Sequence, residues 1–301
     1  MNITDLLPQL MTGDTFNDAS RNPLGEVPGV LLHGEGRATW MVESFPAEVT
    51  SDALDDLRIR LPFPKPPSSR AALDVTATLP ANWRWADDRG RRLLLADVPA
   101  ALRHSLPTVF SDLEAGIRRL CHPADTILTA EVPGTIDRKQ LQEALRAPWW
   151  NEQSVIEMAD GWELRPTIAA HPIPVSLHIE GEHVRCRREV VSSLGDGAIA
   201  DAICLQAVRF NARLKHARLS CADGKLVAEA CLHRDLISGE LLADVVRAVA
   251  VVEHRVRMSF GIVREHEEIA AQFAALFAAP DLPSGPPAAV DLSPWPQKGG
   301  T

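Results

Sequence analysis

Residues 198–232, AIADAICLQAVRFNARLKHARLSCADGKLVAEACL, place a helix, a strand, a tight turn and a second strand in direct succession. Ile199, Ile203, Ala207, Phe210 and Leu214 recur at helical spacing, while Asp201, Arg209 and Arg213 fall on other faces, so a core-facing helix is predicted from about Ala198 to His216. Ala217–Cys221 and Leu226–Leu232 then read as strands around the turn Ala222-Asp223-Gly224. Ser238 is placed to cap a further helix from Gly239 to about Val256. Helices and antiparallel hairpins alternating in this way make the fold class α+β.

Upstream, Gly161–Thr167, Val175–Ile179 and His183–Val191 read as strands, the last two joined at Glu180-Gly181-Glu182. Downstream, Glu265–Phe277 reads as a final amphipathic helix, and the Pro-rich residues 279–301 carry too little apolar matter to fold, which predicts a disordered tail.

The first half has the same flavour. Residues 1–28 read as a flexible segment. Gly29–Glu43 reads as two strands about Gly34-Glu35-Gly36, Asp52–Leu61 as a helix, and Pro62–Pro67 as an extended connector. Ala72–Val98 reads as an antiparallel meander made of LDVTATL, NWRW and RLLLADV. A helix over Pro99–Leu120, a strand over Thr126–Val132 and a helix over Asp137–Leu145 complete it. LTAEV followed by Asp137–Leu145 parallels LVAEA followed by Glu240–Val245, so the chain reads as an internal duplication with domains at 29–148 and 149–278. Two such meanders side by side would form a pseudo-dimer.

The chain has 301 residues, 46% hydrophobic and 24% charged, with a net charge of −9. That charge disfavours nucleic acid and anionic membrane surfaces as partners. Asp5 and Pro8 interrupt the N-terminal apolar stretch, and Leu241–Val252 is broken by Asp244 and Arg247, so no leader or membrane span is expected. The five cysteines form no CxxC pair, and reduced, mostly buried thiols in a cytoplasmic protein are the expectation.

Residues 155–260 resemble the YbjN-like and type III secretion chaperone superfamily. The resemblance is carried by GWELRPTIAAHPIPVSLHIEGEHVRCRREVV, by AICLQAVRFNARLKHARL and by SCADGKLVAEACLHRDLISGELLADVVRAVAVVEHRV. The first half joins it only through the duplication. The resemblance implies domains made of an antiparallel meander packed with helices. It also implies small acidic dimers, without catalytic activity, that bind extended segments of partner proteins. The expected function is therefore a non-catalytic peptide- or protein-binding chaperone or adaptor, with a protein or peptide partner, acting as a homo-oligomer or a pseudo-dimeric monomer. An enzyme with a dispersed active site and a structural subunit that oligomerises through its sheet edges are the alternatives.

Such a domain offers sheet edges for strand addition and shallow grooves for alternate side chains. Trp149, Trp150 and Trp162 are candidate groove residues, each also readable as a core anchor, and Trp295 in LSPWP is a candidate linear ligand. No catalytic, cofactor or metal residues are assigned. His178, His183 and Cys186 lack the further ligand that a zinc site needs, and Glu265–Glu268 reads as a solvated helix start. Asp55-Asp56, Asp87-Asp88 and Glu253-His254 read as structural, and Arg185–Arg188, flanked by Glu182 and Glu189, as an ordinary mixed-charge surface.

Overall fold

The computed structural model describes residues 23–34, 36–51, 56–63, 66–79, 83–88, 90–121, 136–146 and 155–265. Among these the chain is α+β, with two antiparallel six-stranded sheets and five α-helices.

The first sheet contains β1 (Val30–Gly34), β2 (Arg37–Val42), β3 (Phe45–Ser51), β4 (Leu57–Pro62), β5 (Arg84–Asp88) and β6 (Arg91–Val98). Their spatial order is β1-β2-β3-β4-β6-β5. Helix α1 (Ser69–Thr78) lies in sequence between β4 and β5, and α2 (Leu106–Cys121) follows β6. The second sheet contains β7 (Val155–Met158), β8 (Gly161–Leu164), β11 (Val175–Glu180), β12 (His183–Val191), β13 (Arg218–Ala222) and β14 (Lys225–His233). Its order, read from β7, is β7-β8-β11-β12-β14-β13, with a small separate ladder of β9 (Thr167–Ile168) and β10 (His171–Pro172) between β8 and β11. Helix α3 (Arg138–Leu145) precedes β7, α4 (Ala198–Asn211) separates β12 from β13, and α5 (Gly239–Glu265) follows β14. With the β9–β10 ladder set aside, both sheets have one strand order, and a helix enters each at the same two places.

Period-two patterning fixes which face is core. In β2, Ala38, Trp40 and Val42 are buried while Arg37 and Met41 are exposed, and in β4 Leu57, Ile59 and Leu61 are buried opposite Arg58 and Arg60. Helix α2 covers this face, with Phe110 edge-on to Trp40 at 4.7 Å between ring centroids. On the second sheet α5 covers β12 and β14, and α4 reaches it through Phe210, edge-on to Phe260 at 6.0 Å. Ser238 caps α5 by accepting from the Leu241 N–H, as its position predicts.

Several expectations are corrected. Asp52–Leu61 does not hold a helix: its described part is the strand β4, because LRIRLP alternates strictly and pairs with β3 and β6. LDVTATL is not a strand but most of α1, capped by Ser68 and set with Ala72, Leu73 and Thr76 against the core. There, Thr76 and Thr78 return their hydroxyls to the carbonyls of Ala72 and Val75, which reconciles these β-branched residues with a helix. Strands β3 and β7 are additional to the elements read from the sequence. The helix expected to reach His216 stops at Asn211, and α5 runs unbroken to Glu265. The expected strand Thr126–Val132, one side of the proposed internal match, lies outside the described residues, as do residues 266–277 and 279–301.

The second faces of the two sheets are turned toward each other's helices. Helix α1 packs on β13 and α4 packs on β5, so each half places its inner helix beneath the last hairpin of the other. The edges β5 and β13 are consequently buried, whereas β1 and β7 stand at the outer ends.

Candidate functional site

Two arrangements carry chemistry, one internal and one on the surface. The internal one is a pair of buried guanidinium–carboxylate clusters. Asp97 on β6 holds Arg58 at 2.8 Å and also Arg84, both on its own sheet. These arginines then reach across to the end of α4: Arg84 donates to the carbonyls of Asn211 at 2.7 Å and Leu214 at 2.6 Å, and Arg58 to that of Ala212 at 3.2 Å. Glu229 on β14 gathers Arg218 at 2.9 Å, Arg187 at 3.0 Å and Arg185 at 3.2 Å. At the end of α1, Arg218 reaches across to the Leu79 carbonyl at 2.8 Å and Arg185 to that of Ala77 at 2.9 Å, while Arg218 also takes the Trp83 carbonyl at 2.7 Å just ahead of β5. Each half thus satisfies the last carbonyls of the other half's helix, where positive charge is favoured.

The electrostatics follow from burial. Desolvation pushes the Asp97 carboxyl up, but Arg84 and Arg58 outweigh it and hold the group below its ordinary value. The Glu229 carboxyl is likewise raised by burial and lowered further by Arg218, Arg185 and Arg187. The Arg84 guanidinium is fully enclosed, and desolvation lowers its pKa against the pull of Asp97. Asn211 completes the junction, donating to the Trp85 and Leu219 carbonyls and accepting from the Leu219 N–H. Every charge here is committed to a structural contact.

The surface arrangement is the pair of outer edges. The large apolar side chains most exposed among the described residues are Leu31 at 60%, Met158 at 49%, Met41 at 46% and Ile156 at 36%. They fall on β1, β2 and β7, at equivalent outer ends of the two sheets. The β1–β2 ladder shifts register between Leu32 and Gly34, a bulge of the kind that blunts an edge. Strand β7 is regular: all four of its residues pair in register with β8, and no described strand lies on its other side. Ile156 and Met158 share one face, opposite Glu163 and Gly161. On the other face Glu157 pairs with Arg138 of α3 at 2.8 Å.

Trp162 lies 4% exposed on the core face of β8, beneath the Arg138 guanidinium at 4.8 Å from its ring centroid. The core-anchor alternative thus describes its position. Trp149, Trp150 and Trp295 lie outside the described residues. His178, His183 and Cys186 are not brought together. His178 sits opposite Arg185, His183 bonds Asp112 of α2 at 2.9 Å, and Cys186 faces the core. Among the described residues no group of three or more His, Cys, Asp or Glu is arranged to hold a metal.

Asp56 accepts from the Ala100 N–H and pairs with Lys215, Asp87 caps the Gly90 N–H, and Glu253 pairs with Arg257, all structural. Arg185–Arg188 is not the surface patch expected, because Arg185 and Arg187 turn onto buried Glu229. Four cysteines are buried and Cys121 is half-buried, all as free thiols, and burial pushes Cys204 up to about 11 and Cys221 to about 12. A cleft of about 370 Å³ between Asp87, Asp88, Arg209 and Arg213 lies beside the β5–β6 turn.

Ile156 and Met158 escape a sequence reading because β7 is only four residues long. Only the alternation of Ile156, Glu157 and Met158 ahead of the turn residues Asp160-Gly161 marks it.

No helix among the described residues is long and apolar enough to cross a membrane. No family model matches the chain, and no curated protein matches it.

Proposed function

We propose that this chain is a non-catalytic chaperone or adaptor that holds an extended segment of a partner protein against the outer edge β7. The observation that carries the reading is that edge: a regular strand at the end of a sheet with Ile156 and Met158 exposed on one face. Such an edge supplies backbone donors and acceptors for strand addition, while the two side chains give an incoming segment an apolar register. The resemblance of residues 155–260 to the YbjN-like and type III secretion chaperone superfamily supports the same role, as does the acidic charge of −9. In this reading the two halves are related units joined as a pseudo-dimer, supported by their common strand order and the matched arginine clusters, and the protein works in the cytoplasm with its thiols reduced.

The test is selection of short random peptides on the immobilised full chain, with the double variant Ile156→Lys/Met158→Lys as control. Peptides with alternating apolar residues, bound at least tenfold more weakly by the variant, are expected, since central apolar contacts commonly contribute more than about 1.4 kcal/mol. Selected peptides that bind both proteins equally would overturn the edge as the site. Self-association lost in the variant, with no peptide selected, would favour the structural-subunit reading.

A further inference from the structure

We infer that the face between the two halves is a docking surface that also accepts the opposite half of a second copy of this chain, so that two chains can form an exchanged dimer. The contacts between the halves are reciprocal. Every cross-half hydrogen bond and ion pair described joins a group in residues 56–121 to one in residues 183–218, and none depends on the two groups belonging to the same molecule. Arg84 and Arg58 need only the carbonyls at the end of an α4, and Arg218 and Arg185 only those at the end of an α1. A first half from one chain and a second half from another satisfy both sets completely.

Separation also favours re-pairing over an open state. Asp97 and Glu229 keep arginines on their own sheets, so neither of these two buried carboxylates is stranded when the halves part. What opening exposes is the Arg84, Arg58, Arg218 and Arg185 guanidinium groups, the carbonyls they hold, and the apolar cluster of Ala86, Leu93 and Leu95 on which Ala212 packs. Opening also leaves the Asn211 side chain without its Trp85 partner. Surface of that kind closes on the nearest complementary half.

Chain length permits the exchange. Helix α3 packs on α5 and holds the β7–β8 hairpin through Arg138, so it travels with the second half. Residues 122–135 join the halves, and fourteen residues reach at most about 50 Å when extended. Tethering keeps the two halves of one chain at an effective concentration of order millimolar. Native chains at micromolar concentration therefore stay closed on themselves, and exchange appears when unfolded chains refold near that concentration.

The experiment uses the full chain. Wild-type protein is refolded from urea at about 10 μM and at about 1 mM, concentrations chosen either side of that tether effect, and sized by light scattering. Dimer is expected only in the second preparation. Asp97→Asn and Glu229→Gln are then refolded separately and together at the higher concentration, and the dimers are melted. In a mixed exchanged dimer both lesions fall in one unit and the other unit is wild type, so a melting component at the wild-type temperature appears in the mixture and in neither variant alone. Absence of any dimer from wild type overturns the inference. So does a mixed dimer that melts only at the variants' temperatures, which is the behaviour of chains paired edge to edge through β7. If neither variant folds alone, recovery of folded protein only on mixing supports exchange, and failure to recover any contradicts it.

Discussion

Arg84 donates its Nε–H to the carbonyl oxygen of Asn211 at 2.7 Å, across a sequence separation of 127 residues. The converse contact, from Arg218 to the Leu79 carbonyl at 2.8 Å, spans 139 residues in the other direction. Together these contacts tie the two sheets through the ends of each other's inner helices. Removing the anion at either cluster leaves guanidinium groups buried without their counter-charge. Glu229→Gln is therefore expected to lower unfolding stability by about 3–5 kcal/mol, read from urea denaturation with an unchanged slope.

The same clusters set an acid limit. The Asp97 and Glu229 carboxyls sit below their ordinary values of 3.8 and 4.5 in the fold, so the unfolded chain binds more protons than the native one in acid. Their contribution is fully present above about pH 5 and is lost as pH falls through the depressed folded values. Urea midpoints measured from pH 7 downward should fall steeply below pH 5 for wild type, and less steeply for Asp97→Asn/Glu229→Gln. Parallel curves would show that other carboxylates govern the acid limit.

The connection from β2 to β3 carries a different strain. Val42 pairs with Phe45, leaving Glu43 and Ser44 as a two-residue turn with φ of 45° and 74°. That left-handed geometry favours glycine and costs other residues about 1 kcal/mol each. Ser44→Gly is expected to raise stability by about 1 kcal/mol, seen as a higher urea midpoint. A lowered midpoint would mean that the Ser44 side chain contributes more than its backbone costs.

Gly161 is required for closeness rather than for its dihedral. A Cβ built there would stand 2.1 Å from the Leu177 carbonyl oxygen, where β8 meets β11. Gly161→Ala is expected to cost about 1–3 kcal/mol as the hairpin shifts. Because this hairpin carries β7, peptide binding should weaken with it even where the rest of the chain stays folded, as circular dichroism would show.

Local order was readable in the second half because its signals are local. Asp223-Gly224 between two apolar runs and Ser238 ahead of a periodic stretch act within a few residues, and both features are present as read. The errors fall where distant packing decides. LDVTATL has β-branched residues that favour a strand, yet it lies between two sheets and is helical. The helix from Ala198 ends at Asn211 because Arg84 and Arg58 take the carbonyls there, and no neighbour of Asn211 in sequence announces arginines more than a hundred residues away. The candidate site was less legible. Tryptophans attract attention by rarity, but Trp162 is buried, while the exposed pair Ile156 and Met158 looks like any short apolar run until the sheet order shows that nothing described lies beyond it.

Strand addition at β7 is read by amide hydrogen exchange of the full chain with and without a selected peptide. Protection is expected to rise at residues 155–158 on binding, with little change at the buried edges β5 and β13. Protection gained elsewhere, with β7 exchanging as in the free protein, would contradict it.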